Sequence, residues 1–273
     1  METGSEKDHR SRESGVLVYP VYSRRSRGLS LGINLFPDKK VCSFDCPYCE
    51  VFPFFSRSVF IHKNMEEELH AAIARAREQN ISIKDICFSG NGEPSLSPHF
   101  CEALEKAFFI RNTAVPEAEL VLITNGTGLL RKNLFEFLAL KAQEGLKIWL
   151  KIDAGTEEWF GKINRPQSCD FSLLLDCIRE FSAIAPFIAQ TMICKVEGLP
   201  PPQQEEEAWV KLIKDLAVPG KLRLLQIYGK ARPSPQDPLT EAVDTDFLEK
   251  RAGILRAALQ TEKRSLIPVE VFP

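Results

Sequence analysis

The chain has 273 residues, of which 44% are apolar, and its 35 basic and 37 acidic residues nearly balance. That composition is ordinary for a globular protein with a full core. It supplies no general positive charge for binding nucleic acid, although a local basic patch could still contact RNA. No stretch approaches the ~18–20 apolar residues of a membrane span, so we expect no membrane partner.

Strand-like and helix-like segments alternate along the chain after residues 1–14, a polar stretch that we expect to be a disordered tail. The first strand is predicted at residues 30–36, an apolar run that ends at Pro37. The first helix is predicted over residues 64–79, where apolar residues recur at helical spacing and Asn64 is a suitable N-cap.

Five further strand-then-helix pairs follow this first one. The strands are predicted at residues 83–90, 119–126, 147–155, 187–195 and 221–229. The helices after them are predicted near residues 97–109, 129–144, 171–182, 204–217 and 246–259. We expect one more short strand in the closing residues 267–273.

Such alternation predicts an α/β fold with a parallel sheet and helices outside it. Six strand-then-helix units are too few for a closed barrel of eight strands, so we expect a partial (β/α)6 barrel. Residues 15–273 are predicted to form one domain, because no repeat or low-complexity linker interrupts them. In such folds the chemistry lies at the C-terminal ends of the strands.

Polar and glycine residues gather at these predicted strand ends. They are Gly90, Asn91, Gly92, Glu93, Thr124, Lys151, Asp153, Gln190 and Tyr228. Loops after strands are commonly polar, which accounts for part of this pattern. It accounts poorly for Lys151 and Asp153, which interrupt an apolar strand and share one face at a spacing of two.

The compartment is indicated by the cysteines and by the start of the sequence. The first residues are charged and lack the apolar core of a secretion signal. Eight cysteines in such a chain are expected to be reduced thiols rather than a disulfide framework. We therefore expect a cytoplasmic protein.

Three cysteines, Cys42, Cys46 and Cys49, follow the first predicted strand at the spacing C-x3-C-x2-C. Cys46 and Cys49 alone could be a redox dithiol, although Cys42 then has no role. A structural zinc site would need a fourth ligand, for which His62 is a candidate. Three thiolates also suit three irons of a [4Fe–4S] cluster, whose fourth iron stays open to a substrate or cofactor.

The stretch CSFDCPYC, at residues 42–49, resembles the cluster motif of the radical SAM superfamily. The segments SRRSRGLSLGINLFPDKKVCSFDCPYC, FSGNGEPSL, KIDAG, INRP and QTM resemble landmarks of the branch grouped with wyosine-type tRNA synthases. The resemblance implies an enzyme with a partial barrel of the radical SAM type. It implies one-electron cleavage of S-adenosylmethionine to a 5′-deoxyadenosyl radical, which abstracts hydrogen from an unidentified substrate.

The resemblance also implies roles for residues of this sequence. Cys42, Cys46 and Cys49 would bind the cluster, and Tyr48 would contact adenine through its backbone. The methionine amino group would be received at Gly90, Asn91, Gly92 and Glu93. Asn91 stands where the superfamily usually has glycine, so a positive φ is expected there.

Further residues at the strand ends are assigned more than one role. Thr124 and Asp153 could reach the ribose or the methionine carboxylate, and Asp153 could instead cap the next helix. The candidate catalytic residues Lys151, Gln190 and Tyr228 would contact substrate, or would balance buried charge. Arg165 could steady a carboxylate or form a surface ion pair.

Cofactor number and partners complete the expectations. No cysteine precedes Cys42 in this sequence, whereas the wyosine-type enzymes hold a second cluster with cysteines placed there, so we expect a single [4Fe–4S] cluster. The chemistry implies a low-potential electron donor of the flavodoxin or ferredoxin type. Arg24, Arg25 and Arg27 could contact nucleic acid or could be a solvated charged stretch. An RNA-modifying enzyme of the same superfamily and a non-radical redox or zinc-binding protein remain the alternatives.

Overall fold

The computed structural model describes residues 15–236, 239–261 and 267–273, so the predicted tail at residues 1–14 lies outside the described residues. The chain divides into two compact units, each assembled from separate stretches. Unit 1 holds the described residues up to Cys42, together with Val51–Thr124 and Gly145–Lys147. Unit 2 holds Ser43–Glu50, Asn125–Glu144 and the described residues from Ile148 onward. The prediction of one domain over residues 15–273 stays a prediction.

Unit 1 contains four strands and two helices. They are β1 (Val18–Ser23), β2 (Gly28–Asn34), α1 (His62–Glu78), β3 (Ile83–Ser89), α2 (Phe100–Ala114) and β4 (Glu119–Thr124). Strands β2, β3 and β4 run parallel, as predicted. Strand β1 pairs antiparallel with β2 and was not predicted. It contains Pro20, which weakens the sequence signal for a strand but is tolerated at a sheet edge.

The apolar spacing of α1 was predicted correctly, but its start was not. Met65, Leu69, Ile73 and Ala76 are buried on one face of the helix. The predicted cap, Asn64, lies inside the helix, which begins at His62 after Ile61. Glu68 lies beyond the first turn of α1, and its Oε2 accepts from the backbone N–H of Leu17 (3.0 Å) and of Val18 (2.9 Å). These two bonds connect α1 to the start of β1.

Unit 2 contains the later helices and strands. They are α3 (Lys132–Gln143), β5 (Leu146–Lys151), α4 (Glu157–Ile163), α5 (Phe171–Ile184), β6 (Phe187–Ile193), β7 (Lys195–Val196), α6 (Gln203–Leu216), β8 (Leu222–Gly229), β9 (Thr240–Glu241), α7 (Thr245–Thr261) and β10 (Val269–Phe272). Strands β5, β6, β8 and β10 are parallel, and β7 forms a short antiparallel ribbon with β9. The predicted short closing strand is confirmed as β10.

Strand β5 begins in unit 1 and continues in unit 2. The strand order is β1-β2-β3-β4-β5-β6-β8-β10, so the sheet has eight strands among the described residues. Seven of them, all but β1, are predicted strands, which confirms the α/β class. Within the described part of the chain, no helix is long and apolar enough to cross a membrane.

Candidate functional site

The three motif cysteines follow β2 in the chain. Cys42 belongs to unit 1, and Cys46 and Cys49 belong to the stretch Ser43–Glu50 of unit 2, which we call the cysteine loop. The backbone N–H of Cys49 donates to the carbonyl of Cys46 at 3.0 Å, which makes a tight turn. All three residues are half-buried, and none of the eight cysteines, all in the described residues, forms a disulfide.

These thiols fit an iron–sulfur cluster by the chemistry of their donor atoms. Three soft sulfur ligands stand within eight consecutive residues, and no disulfide consumes them. In residues 15–236, 239–261 and 267–273, no three side chains of His, Cys, Asp or Glu are grouped closely enough to hold one metal ion together. In an iron–sulfur cluster, by contrast, each of the three cysteines binds a different iron. His62, the candidate fourth zinc ligand, is engaged elsewhere: its Nε2 lies 3.3 Å from Glu102 Oε2, and its ring packs against His99.

Asp153 is the centre of a buried polar cluster in unit 2. Its Oδ2 accepts from the hydroxyl of Tyr48 at 2.6 Å and from the side-chain amide of Asn164 at 2.8 Å. Its Oδ1 accepts from the backbone N–H of Met192 at 2.8 Å. The alternative interpretation of Asp153 as a helix cap is wrong, because the hydroxyl of Thr156 caps α4.

Lys151 supplies the positive charge of this Asp153 cluster. Its Nζ lies 3.3 Å from Asp153 Oδ2, donates to the hydroxyl of Tyr228, and lies 4.8 and 4.9 Å from the ring centroids of Tyr48 and Tyr228. Burial alone lowers the pKa of Lys151, but the nearby carboxylate and phenol outweigh burial and raise it. These neighbours therefore favour the charged ammonium form of Lys151.

The three candidate catalytic residues are partly brought together. Lys151 and Tyr228 are in direct contact. Gln190 pairs in register with Lys151 of β5 on one side and with Gln226 of β8 on the other. The side chains of Lys151, Gln190 and Gln226 therefore share one face of the sheet. The amide Nε2 of Gln190 donates to Gln226 Oε1 at 2.6 Å, and Gln190 is fully buried.

The thiol of Cys46 lies next to the buried polar side chains around Asp153. The side-chain amide of Asn164 reaches its Sγ at 3.6 Å. Burial, and then the charge of Asp153, raise the pKa of Cys46 to about 12. Asn164, which lies in the INRP segment, was not predicted as a site residue. Nothing local in the sequence shows that the Asn164 amide turns toward both Asp153 and Cys46.

In unit 1 the predicted site residues form a tight turn after β3, which we call the glycine turn: Gly90, Asn91, Gly92 and Glu93. Gly90 has φ +109° and Gly92 has φ +151°, values that side chains rarely tolerate. A Cβ added to Gly92 would lie 1.8 Å from the carbonyl oxygen of Val41. Val41 and the turn exchange backbone hydrogen bonds, from Val41 N to Asn91 O at 3.0 Å and from Glu93 N to Val41 O at 2.9 Å.

Two further residues complete the glycine turn. The positive φ expected at Asn91 is wrong, because the flanking glycines take that conformation. Asn91 instead donates through its backbone N–H to Asn34 Oδ1 at 3.2 Å and through its amide to Phe36 O at 3.2 Å. Glu93 Oε1 accepts from the hydroxyl of Thr124 at 2.7 Å and from Ser95 N at 3.1 Å.

The arginines noted in the sequence lie in two different parts of the fold. Arg24, Arg25 and Arg27 lie in the turn between β1 and β2, and Arg27 has φ +56°. Their contact with nucleic acid stays a prediction. Arg165 donates to the amide oxygen of Gln236 at 2.5 Å, rather than to a carboxylate.

Comparisons with known proteins agree with these observations. The family model described as "Radical SAM superfamily" matches residues 39–217. A UPF0026 protein of Helicobacter pylori is 28% identical over 197 residues, which cover 68% of this chain and 58% of that protein. A UPF0026 protein of Methanocaldococcus jannaschii is 30% identical over 176 residues, which cover 59% of this chain and 46% of that protein. The chain thus spans about half the length of these relatives.

Solved structures share the fold. A radical SAM methyltransferase from Sphaerobacter thermophilus matches with a TM-score of 0.66 at 15% identity, over 93% of this chain and 69% of that chain. Streptococcus suis SuiB bound to S-adenosylmethionine matches with a TM-score of 0.61 at 14% identity, over 85% and 48%. TYW1 with a lysine–pyruvate adduct matches with a TM-score of 0.57 at 14% identity, over 84% and 73%. At such identities the likeness shows the fold alone, and it confirms the predicted partial barrel.

Proposed function

The chain belongs to the radical SAM superfamily, and on that premise we propose that it is an enzyme that cleaves S-adenosylmethionine reductively. In this superfamily a [4Fe–4S] cluster and S-adenosylmethionine together supply a 5′-deoxyadenosyl radical, which abstracts hydrogen from a substrate. The observation that carries the proposal is the set of three unbridged thiols within eight consecutive residues of the matched region. We propose Cys42, Cys46 and Cys49 as the ligands of a single cluster.

The glycine turn is proposed to receive the methionine part of S-adenosylmethionine. Its two glycines at positive φ leave the backbone of the turn without side chains on either side of Asn91. Glu93 is held by Thr124 and by Ser95 N, so its carboxylate has a defined direction. An ammonium group is the natural partner of such a carboxylate.

Tyr48 and Asp153 are proposed to act together in unit 2. The phenol of Tyr48 is spent on Asp153, which leaves the backbone of Tyr48 as the part available to adenine. The carboxylate of Asp153 already accepts three hydrogen bonds and adjoins Lys151. We therefore assign Asp153 to positioning Tyr48 and Lys151, with contact to the ribose as its further proposed role.

Lys151, Tyr228 and Gln190 are proposed to face the substrate. Because Lys151 stays charged, it suits holding an anionic group of the substrate rather than removing a proton. The substrate itself is unidentified. We propose a cytoplasmic enzyme with a flavodoxin- or ferredoxin-type donor, a placement supported by eight cysteines without a disulfide.

The experiment is anaerobic reconstitution followed by reduction with dithionite in the presence of S-adenosylmethionine. We expect about four irons per chain for one cubane, a broad iron–sulfur absorbance, and formation of 5′-deoxyadenosine. The variant Cys46→Ala should lose both the absorbance and the product. Cys101→Ala, at an exposed position on α2, is the matched control and should keep them. Bound zinc without iron, or an intact reduced cluster that yields no 5′-deoxyadenosine, would contradict the proposal.

An RNA-modifying enzyme is the second candidate, favoured by the three arginines of the β1–β2 turn. Phosphate contacts by such residues weaken steeply with salt. Replacing Arg24, Arg25 and Arg27 together with glutamine should therefore reduce RNA binding measured at low salt. Binding of RNA that is unaffected by these replacements would count against this candidate.

A further inference from the structure

A second part of unit 2 forms hydrogen bonds with the cysteine loop, and no local pattern in the sequence predicts it. Four residues that follow β8 donate hydrogen bonds to the loop. We call them the clasp: Arg232, Ser234, Gln236 and Thr240. The carbonyl oxygen of Pro47, between Cys46 and Cys49, accepts from the hydroxyl of Ser234 at 2.8 Å and from that of Thr240 at 3.3 Å.

The clasp also contacts two acidic side chains of the cysteine loop, those of Asp45 and Glu50. Gln236 donates to Asp45 Oδ2 at 3.1 Å. Arg232 Nη1 pairs with Glu50 Oε2 at 2.9 Å, and the two side chains are only 14% and 23% exposed. Asp45 directly precedes Cys46, and Glu50 directly follows Cys49. The clasp therefore forms hydrogen bonds or an ion pair with the loop before Cys46, between Cys46 and Cys49, and after Cys49.

The Arg232–Glu50 pair places two opposite charges beside Cys49. Water and salt screen the charges of a half-buried pair less than those of a surface pair. The removal of one of the two charges therefore changes the electrostatic potential around the pair. The reduction potential of an iron–sulfur cluster depends on nearby charge, on hydrogen bonds and on solvent exposure. Each partner should thus act on such a cluster with opposite sign.

We propose that the clasp positions the cysteine loop and that its Arg232–Glu50 pair balances the charge that sets the reduction potential of the bound cluster. This inference rests on the proposed function only in requiring that Cys46 and Cys49 hold a cluster. Arg232 and Glu50 are positioning and charge-balancing residues, and neither is assigned contact with substrate. The fold brings them together across 182 positions of sequence.

The test is a redox titration of reconstituted protein, followed by the electron paramagnetic resonance signal of the reduced cluster. Arg232→Gln removes a positive charge near Cys49 and should shift the potential to a more negative value. Glu50→Gln removes a negative charge there and should shift it to a more positive value. The double variant restores neutrality and should return close to the parent value. A merely structural pair would give single-variant shifts of one sign, or none.

Two more variants separate positioning from charge. Ser234→Ala removes a hydrogen bond to Pro47 without a change of charge, so it should release iron to a chelator several-fold faster at an unchanged potential. Lys141→Gln breaks a pair of similar length, 2.8 Å, with Glu144 at the end of α3, in which the two side chains are 9% and 45% exposed. It should change neither reading. If Arg232→Gln fails to load, Arg232→Lys keeps the charge and should restore the parent potential.

The outcomes are distinct from those of the proposed function. If the parent protein binds no cluster, the proposed function fails before the clasp is tested. If the cluster binds but S-adenosylmethionine is not cleaved, opposite potential shifts still support the clasp. Shifts of one sign in both single variants, or unchanged potentials with full iron content, would overturn it.

Discussion

The glycine turn of unit 1 and the Asp153 cluster of unit 2 both follow parallel strands, yet they are built in opposite ways. The turn is shaped by backbone: two glycines at positive φ and direct bonding to the backbone of Val41. The cluster is shaped by side chains, with a buried carboxylate that gathers a phenol, an amide and an ammonium. We therefore expect the glycine turn to be sensitive to an added Cβ at Gly92. The Asp153 cluster should instead be sensitive to the loss of one charge of the Lys151–Asp153 pair.

Gly92→Ala should break the glycine turn and have the largest effect. The new Cβ would meet the Val41 carbonyl oxygen at 1.8 Å, and backbone cannot move aside as a side chain can. We expect a loss of about 4 kcal/mol or more in the free energy of unfolding, measured by urea denaturation. Gly145→Ala is the matched control, because it also has positive φ (+109°) but meets nothing within 4 Å.

The control isolates the clash from the conformational strain. Gly145→Ala should cost about 1–2 kcal/mol, the usual penalty for a side chain in the left-handed region. If Gly92→Ala costs no more than Gly145→Ala, close approach of backbone does not define the turn.

Asp153→Asn should destabilise the Asp153 cluster of polar side chains, because the ammonium of Lys151 then stays buried without the carboxylate of Asp153. It would also set an amide N–H against two donors, Tyr48 and Asn164. We expect a loss of about 3 kcal/mol in urea denaturation. The matched control is Asp176→Asn, whose partner Arg179 lies at 2.8 Å in a pair with side chains 67% and 46% exposed.

That exposed pair should cost less than about 1 kcal/mol when it is removed, because water screens it. The double variant Lys151→Met with Asp153→Asn should recover part of the loss, since no buried charge then remains. Equal losses for Asp153→Asn and Asp176→Asn would show that burial of the charge is not what matters.

Thr124→Val is the smallest of these changes and sharpens the comparison, because it removes a side-chain hydroxyl that donates to Glu93 while keeping the shape of the side chain. A buried carboxylate loses one charge-assisted hydrogen bond, so we expect a cost of about 1.5 kcal/mol in urea denaturation. Thr113→Val removes an exposed hydroxyl that donates to Phe109 O on α2, and it should be nearly neutral. A neutral Thr124→Val would mean that the backbone alone sets the direction of Glu93.

Much of the fold was predictable because its signals are local. Alternating apolar runs and helical spacing identified six parallel strands, and the spacing of three cysteines indicated a cluster. The shared face of Lys151 and Asp153 followed from a period of two, and their contact at 3.3 Å agrees with it. The start of α1 was wrong, because a helix can begin without a side-chain cap when its other contacts hold it.

Other features were missed because no local pattern encodes them. Strand β1 needs its partner β2 to be recognised, since Pro20 hides it. Asn91 was expected at positive φ from its position in a motif, but the contact of Gly92 with Val41 assigns that conformation to the glycines. Asn164 contacts Cys46 and Gln236 contacts Asp45, partners that lie far away in the chain.

The sequence by itself determined the α/β class, the positions of six parallel strands along the chain and which thiols could bind a cluster, because periodicity and motif spacing are properties of neighbouring residues. Only the tertiary structure decided how those residues are supported. It joined Lys151 and Tyr228 in one contact, bound the carboxylate of Asp153 to Tyr48 instead of to the start of α4, and placed the clasp against Pro47 and Glu50. Hydrogen bonds and ion pairs between distant residues form only when folding brings them together, so no stretch of sequence could show them.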